Sequence, residues 1–143
     1  MRRFLLSFFI LTIFILPAQG VKADPVGPRV KYQGVLPDAF YDALAQCETG
    51  GNWNHSTKSY TGGLGIYRGT WRWFSTSRSA TGKTARQQVE IADRIAFKGH
   101  HENGTFRKPV GVFGWGCVKN HKYISKYVCQ SKLAIVKRFK TRC

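Results

Sequence analysis

One carboxylate stands out by its neighbours. In the segment Ala43-Leu44-Ala45-Gln46-Cys47-Glu48-Thr49-Gly50-Gly51-Asn52-Trp53, Glu48 comes four residues after Leu44 and seven after Tyr41. Pro37 suits the first turn of a helix, and Phe40, Tyr41, Leu44 and Cys47 recur at three- and four-residue steps. The spacing therefore predicts a helix over 38–48, which Gly50-Gly51 stops because glycine takes the left-handed conformation that helix ends use. On such a helix Glu48 continues the apolar stripe, facing a loop of glycines and aromatics in the partly desolvated setting that a general acid requires. The other reading is a Glu at a frayed, exposed helix end, and the residues alone leave both open.

Other candidate chemistry falls away on inspection. Gly82-Lys83-Thr84 resembles the end of a phosphate loop, but Ser77 stands where that motif needs its first glycine. Gly63-x-Gly65 has Arg68 where a dinucleotide fingerprint needs its third glycine, so no nucleotide cofactor is expected. His100 and His101 are adjacent, and His55 and His121 are distant, which puts no two imidazoles on one helix face; no metal is expected. Cys47, Cys117, Cys129 and Cys143 have no C-x-x-C spacing and read as two disulfides, with three pairings open.

The elements that must hold Glu48 are mostly helical. Residues 24–37 carry Pro25, Gly27, Pro28, Gly34 and Pro37 and read as a linker or a wrapped N-terminal arm. Residues 52–77 read as a loop or short hairpin leading into a short helix at 67–74. Thr84 with Gln87 resembles a capping box opening a helix over 85–98, whose apolar face is Val89, Ala92, Ile95 and Ala96. Residues 99–116, rich in glycine, read as a loop. Residues 122–139 read as a basic amphipathic helix around Tyr123, Tyr127, Leu133 and Val136.

Charge narrows the partners. The 143 residues carry 23 Lys or Arg against 7 Asp or Glu, a formal net charge of +16, which excludes an acidic binding module. With 43% hydrophobic residues the chain can still form one packed domain. Met1-Arg2-Arg3, the apolar run 4–16 and the small residues up to Ala23 read as a secretory signal peptide, cleaved after Gly20 or Ala23, with an uncleaved membrane anchor as the alternative. Removing 1–23 takes away only Arg2, Arg3 and Lys22, so the basicity belongs to the exported part. Glu102 is the last acid, and the cationic stretch beyond it suits anionic wall polymers or membrane surfaces before specific nucleic acid; a merely solvated face is the alternative.

The segment 41–53 resembles the W-D-A-L-A-Q-C-E-S-G-G-N-W of resuscitation-promoting factors, secreted bacterial cell-wall glycosidases related to lysozyme and lytic transglycosylases. Tyr60-Thr61-Gly62-Gly63-Leu64 and Gly69-Thr70-Trp71 resemble the family's Y-x-G-G-L-Q-F and S-T-W; Arg86-Gln87-Gln88-Val89-Glu90-Ile91-Ala92 is similar to its R-x-Q-Q-I-x-V-A. Gly114-Trp115-Gly116-Cys117 looks like its closing segment. The likeness spans 38–118. Three departures are visible: Gly65 stands in place of the motif's Gln, 100–113 reads as an insertion, and the tail from Val118 has no counterpart in the family core.

The resemblance implies a mainly α (α+β) lysozyme-like domain over 38–118, followed by a basic extension over 119–143. It makes Glu48 the catalytic acid, pairs Cys47 with Cys117 and so leaves Cys129 to Cys143. It also implies substrate contacts from Trp53, Tyr60, Gly63, Thr70 and Trp71, the aromatics being either core or sugar platforms. The expected function is cleavage of the glycan strand of peptidoglycan by a secreted or wall-bound enzyme without a cofactor. The alternative is a non-catalytic cationic protein that binds anionic wall polymers or membrane surfaces. Retaining and inverting hydrolases need two carboxylates, about 5 to 9.5 Å apart. Between Glu48 and Glu90 the chain has none, so a single-acid reaction with a 1,6-anhydro product is expected.

Overall fold

The computed structural model describes residues 31–140 and Cys143; the leader expected at 1–23 and the first part of the 24–37 stretch lie outside them. Helix α1 (Asp38–Thr49) starts directly after Pro37, and its Asp38 carboxylate accepts the N–H groups of Lys31 and Tyr32 at 2.6 and 3.0 Å. Its stripe of Phe40, Tyr41, Leu44 and Ala45 is buried to within 2% exposure. Gly50 ends it at φ +64°, with the N–H groups of Gly50 and Gly51 closing on the carbonyls of Gln46 and Ala45.

An antiparallel hairpin follows, β1 (Tyr60–Thr61) with β2 (Ile66–Tyr67), in register Tyr60 to Tyr67, and it runs directly into α2 (Arg68–Phe74). The predicted capping box is present at α3 (Ala85–Asp93), Thr84 and Gln87 each accepting the other's backbone N–H. The helix expected over 85–98 keeps its length but changes its winding, because Arg94–Lys98 is a π-helix. This wider turn leaves the carbonyls of Ile95 and Ala96 to accept the N–H groups of Val110 and Gly111 at 2.7 and 3.1 Å, docking the chain that returns after the next hairpin.

Residues 99–116 are not a plain loop. Strands β3 (His100–Glu102) and β4 (Thr105–Arg107) pair through a two-residue turn at Asn103-Gly104, both with positive φ (47° and 76°), and a short 3-10 turn, Val112–Gly114, follows. Asn-Gly is the pair that a type I′ turn requires. Helix α4 (Gly116–Asn120) leads into α5 (Lys122–Cys129), and α6 (Ala134–Lys137) follows after a break. The single helix expected over 122–139 is thus two, and the buried residues are Ile124, Val128 and Val136, while Tyr123 and Leu133 are about half exposed. The break falls at Ser131, whose hydroxyl accepts the Leu133 N–H at 3.3 Å in place of a helical carbonyl, and the Cys129–Cys143 bridge, with its Cα atoms 5.5 Å apart, holds the returning chain against the end of α5.

One core takes residues from every part of the described chain: Tyr32 and Leu36 of the N-terminal arm, α1, Leu64, Trp71 and Phe74, Val89 and Phe97, Val112 and Val118, and the C-terminal Ile124, Val128 and Val136. Asp93 lies inside it, accepting the Tyr41 hydroxyl at 2.6 Å and the Val35 N–H at 2.8 Å, so that its carboxylate fastens the arm to α1 and α3. Burial pushes Asp93 above the usual carboxylate range, while those hydrogen bonds and Lys98 at 4.0 Å pull it back.

Gln88 is the polar counterpart on the other side. Fully buried, it accepts the Gly63 N–H at 2.9 Å and donates to the carbonyls of Trp53 and Lys83 at 2.8 and 3.0 Å, which ties the loop between α1 and the first hairpin to α3. Gln88→Ala leaves those buried groups unpaired and is expected to lower unfolding free energy by about 3 kcal/mol. Gln87→Ala, losing one half of a cap, is expected to lose about 1 kcal/mol. Urea denaturation of the two variants beside wild type measures the difference, and equal losses would contradict the assigned role of Gln88.

Candidate active site

Glu48 sits at the last turn of α1, on the line extended from Tyr41 and Leu44, and is partly buried. It opens into a cleft of about 440 Å³. One wall is the first hairpin and the start of α2, with Tyr60, Gly65, Ile66, Tyr67 and Thr70; the other is Ile95 from the π-helix with Val110, Gly111 and Gly114–Gly116. Glu48 is the single acidic residue among these. Tyr60 and Tyr67 are exposed by half or more, and their rings meet edge to face at 6.0 Å, forming a raised aromatic rim.

The carboxylate itself is held asymmetrically. Oε1 accepts the backbone N–H of Cys117 at 3.1 Å, and the Cys47–Cys117 disulfide, one residue before Glu48, fixes the end of α1 to the start of α4. Oε2 faces Gly65, where an added Cβ would stand 3.2 Å from it. Gly65 has φ +58°, so its lack of a side chain both permits the turn and leaves Oε2 open. Oε2 is therefore the oxygen left to face the cleft. No further carboxylate reaches this cleft among the described residues: Asp93 is locked in the core, Glu90 pairs with Arg94 on α3, and Glu102 faces Arg107 on the second hairpin.

Of the residues expected to contact substrate, the cleft brings Tyr60 and Thr70 to Glu48. The other three stand elsewhere. Trp71 is 1% exposed, with its indole N–H donated to Ser77 Oγ at 3.1 Å, so it is a core residue and not a sugar platform. Trp53 packs against Tyr32, ring centroids 5.3 Å apart, and lies across Gly63, where a Cβ would come within 2.8 Å of the indole. Gly63 is thus required by packing behind the cleft. The sequence reading passed over Tyr67, Ile95, Val110 and Trp115, the last being anchored by its indole N–H on the Leu64 carbonyl at 2.7 Å. Tyr67 was legible as the cross-strand partner of Tyr60. Ile95 and Val110 were not, because each depends on the π-helix and the second hairpin.

The cysteine pairs are Cys47–Cys117 and Cys129–Cys143, the pairing the resemblance implies. Cys47, Cys117 and His121 cluster closely, but both sulfurs are committed to the disulfide, which leaves one imidazole and no metal site there. Among the described residues no helix is long and apolar enough to cross a membrane.

The protein is a small, mainly α domain with two short hairpins and a single carboxylate in its cleft, and its residues 36–103 match the family described as a transglycosylase-like domain. Among individual proteins, the chain is 43% identical over 76 residues to resuscitation-promoting factor RpfE of Mycobacterium tuberculosis, covering 50% of this chain and 44% of that one. It is 42% identical over 81 residues to resuscitation-promoting factor Rpf1 of Corynebacterium glutamicum, covering 54% and 40%. Over the matched residues the chain is thus similar to resuscitation-promoting factors, and it has the small, mainly α (α+β) lysozyme-like architecture expected from that resemblance. The chain spans less than half the length of these two relatives. The family match ends at residue 103, ahead of Val110, Gly111 and Gly114–Gly116 that complete the cleft.

Proposed function

We propose that the protein is an exported enzyme that cleaves the glycan strand of peptidoglycan, with Glu48 as its single general acid. The observation that carries this reading is the solitary Glu48 carboxylate, held by the Cys117 N–H on one oxygen and open to the cleft on the other. The sugar chain lies between the Tyr60 and Tyr67 rim and the Ile95–Val110 wall, and Glu48 Oε2 delivers its proton to the glycosidic oxygen as that bond breaks. The carboxylate so formed takes the proton of the sugar's own 6-hydroxyl while that oxygen bonds to the anomeric carbon. The product is a 1,6-anhydro end, and Glu48 is again protonated. No water is consumed, and no second carboxylate is needed.

Mass spectrometry of fragments released from purified peptidoglycan tests this scheme. Anhydro ends, 18 Da lighter than reducing ends, are the expected result; reducing ends would mean water-dependent hydrolysis instead. Absence of fragments at enzyme excess would favour a wall-binding protein without catalysis.

Gly65 gives a second handle. Gly65→Ala places a methyl against Glu48 Oε2 and a side chain at positive φ, for an expected stability loss of about 1 kcal/mol. Turnover is expected to fall more, by about tenfold or beyond, because small displacements of a catalytic group are costly. Turnover that fell only as far as the folded fraction would show that the open side of Glu48 is unimportant.

A further inference from the structure

A second groove is roomier than the Glu48 cleft. About 620 Å³ lies between Phe113, Lys119 of α4, Lys122, Ser125 and Lys126 of α5, and the Cys129–Cys143 disulfide. All three lysines are exposed, and none is in an ion pair among the described residues. Lys122 and Lys126 stand one helical turn apart, a like-charge spacing that weakens a helix rather than stabilising it. No acidic residue follows Glu102 to relieve it. Lys126 lies 5.2 Å from the Tyr127 ring, and the nearby Lys140 amine is already bound to the Cys129 carbonyl at 2.7 Å, so three ammonium groups remain for a ligand.

The position of the groove says which anion. Phe113 lines it, and the next residue, Gly114, lines the Glu48 cleft; α4, which carries Lys119, also supplies the Cys117 N–H that holds Glu48. On the function proposed above, a strand seated in the cleft carries branches that end in carboxylates, and this groove is the basic surface that adjoins the cleft at residues 113–114. Ammonium groups on flexible stems attract negative charge without fixing its geometry, which suits carboxylates on a mobile branch.

We propose that the Lys119, Lys122 and Lys126 groove binds the peptide-stem carboxylates of the same strand that Glu48 cleaves, making the enzyme selective for stem-bearing over bare glycan. This rests on the function proposed above for Glu48.

The test compares the full chain with the triple variant Lys119→Gln/Lys122→Gln/Lys126→Gln, on soluble glycan oligomers carrying stems and on the same oligomers after enzymatic stem removal. Wild type is expected to prefer the stem-bearing oligomer by about tenfold in kcat/KM at low salt, as a few screened ion pairs allow, with the preference shrinking at high salt. The triple variant is expected to lose most of that preference, and the matching triple Lys→Arg variant to keep it. An unchanged preference in the Gln variant would overturn the assignment. Calorimetric binding of stem-bearing fragments to Glu48→Gln protein, with and without the three Lys→Gln changes, keeps the groove testable if neither oligomer is cleaved. A poly(glycerol phosphate) arm separates the other source of negative charge: loss of that binding alone, with stem binding intact, would make the groove a phosphate-polymer site and refute the proposal.

Discussion

Replacing Glu48 with glutamine is expected to leave a folded protein whose glycan turnover falls by about a thousandfold, within the range that loss of a general acid produces. The substitution keeps shape and volume. Glutamine's Oε1 still accepts the Cys117 N–H, so the bond that now holds the carboxylate at 3.1 Å survives and the melting temperature is expected to stay near that of wild type. What disappears is the ionisable carboxyl group, and among the described residues no other acid lines the cleft to replace it. Fragment release measured beside thermal melting checks both halves of the expectation. Activity within tenfold of wild type would remove Glu48 from the chemistry, whatever the fate of the fold.

Ending the chain after Asn120 is expected to unfold it at ambient temperature. The deleted part carries much of the charge and reads in sequence as a basic extension, an amphipathic helix outside the domain. In the structure, however, Ile124, Val128 and Val136 are fully buried, and Tyr127 meets Phe40 of α1 edge to face at 6.3 Å. Three buried aliphatic side chains contribute about 6 kcal/mol between them, comparable with the whole stability of a small domain. Loss of the Cys129–Cys143 bridge adds to this. Circular dichroism and proteolysis of the truncated chain decide the matter. A cooperative melt within a few degrees of wild type would mean that α5 and α6 fold as an appendage to an independent body.

The parts of this protein that were legible before any coordinates share a cause. The position of Glu48 at the cleft end of α1 was legible because helical spacing is local: Tyr41, Leu44 and Glu48 lie on one face whatever surrounds them, and Gly50 has to end the helix. The capping box at Thr84 is local in the same sense. Asn103-Gly104 was equally local and went unread because the glycines around it suggested a loop; flanking strands of three residues each give too short an alternation to notice. The broken C-terminal helix carried a weaker signal: Ser131 can take a backbone N–H on its own hydroxyl, as it does from Leu133, but a single serine inside an amphipathic pattern does not force a break. Trp53 and Trp71 are a different case. Their type and spacing are the same for a core residue and a sugar platform, and only the packing of Trp71 toward Ser77 and of Trp53 across Gly63 separates the two. Gln88 was hidden by its own polarity: on an amphipathic helix it reads as solvent-facing, and its partners Gly63 and Trp53 come from a distant loop.

Glu48 and the amide that steadies it are 69 residues apart in sequence, and the disulfide beside them spans 70. Closing a contact of such separation costs loop entropy that the packing of the intervening hairpins, α2, α3 and the π-helix must offset. On the function proposed above, competence belongs to the molecule in which both links have closed. Partly folded or reduced chains can carry every helix described above and still have an acid without its setting, so specific activity in a preparation counts completed, oxidised molecules where a helical signal counts all of them.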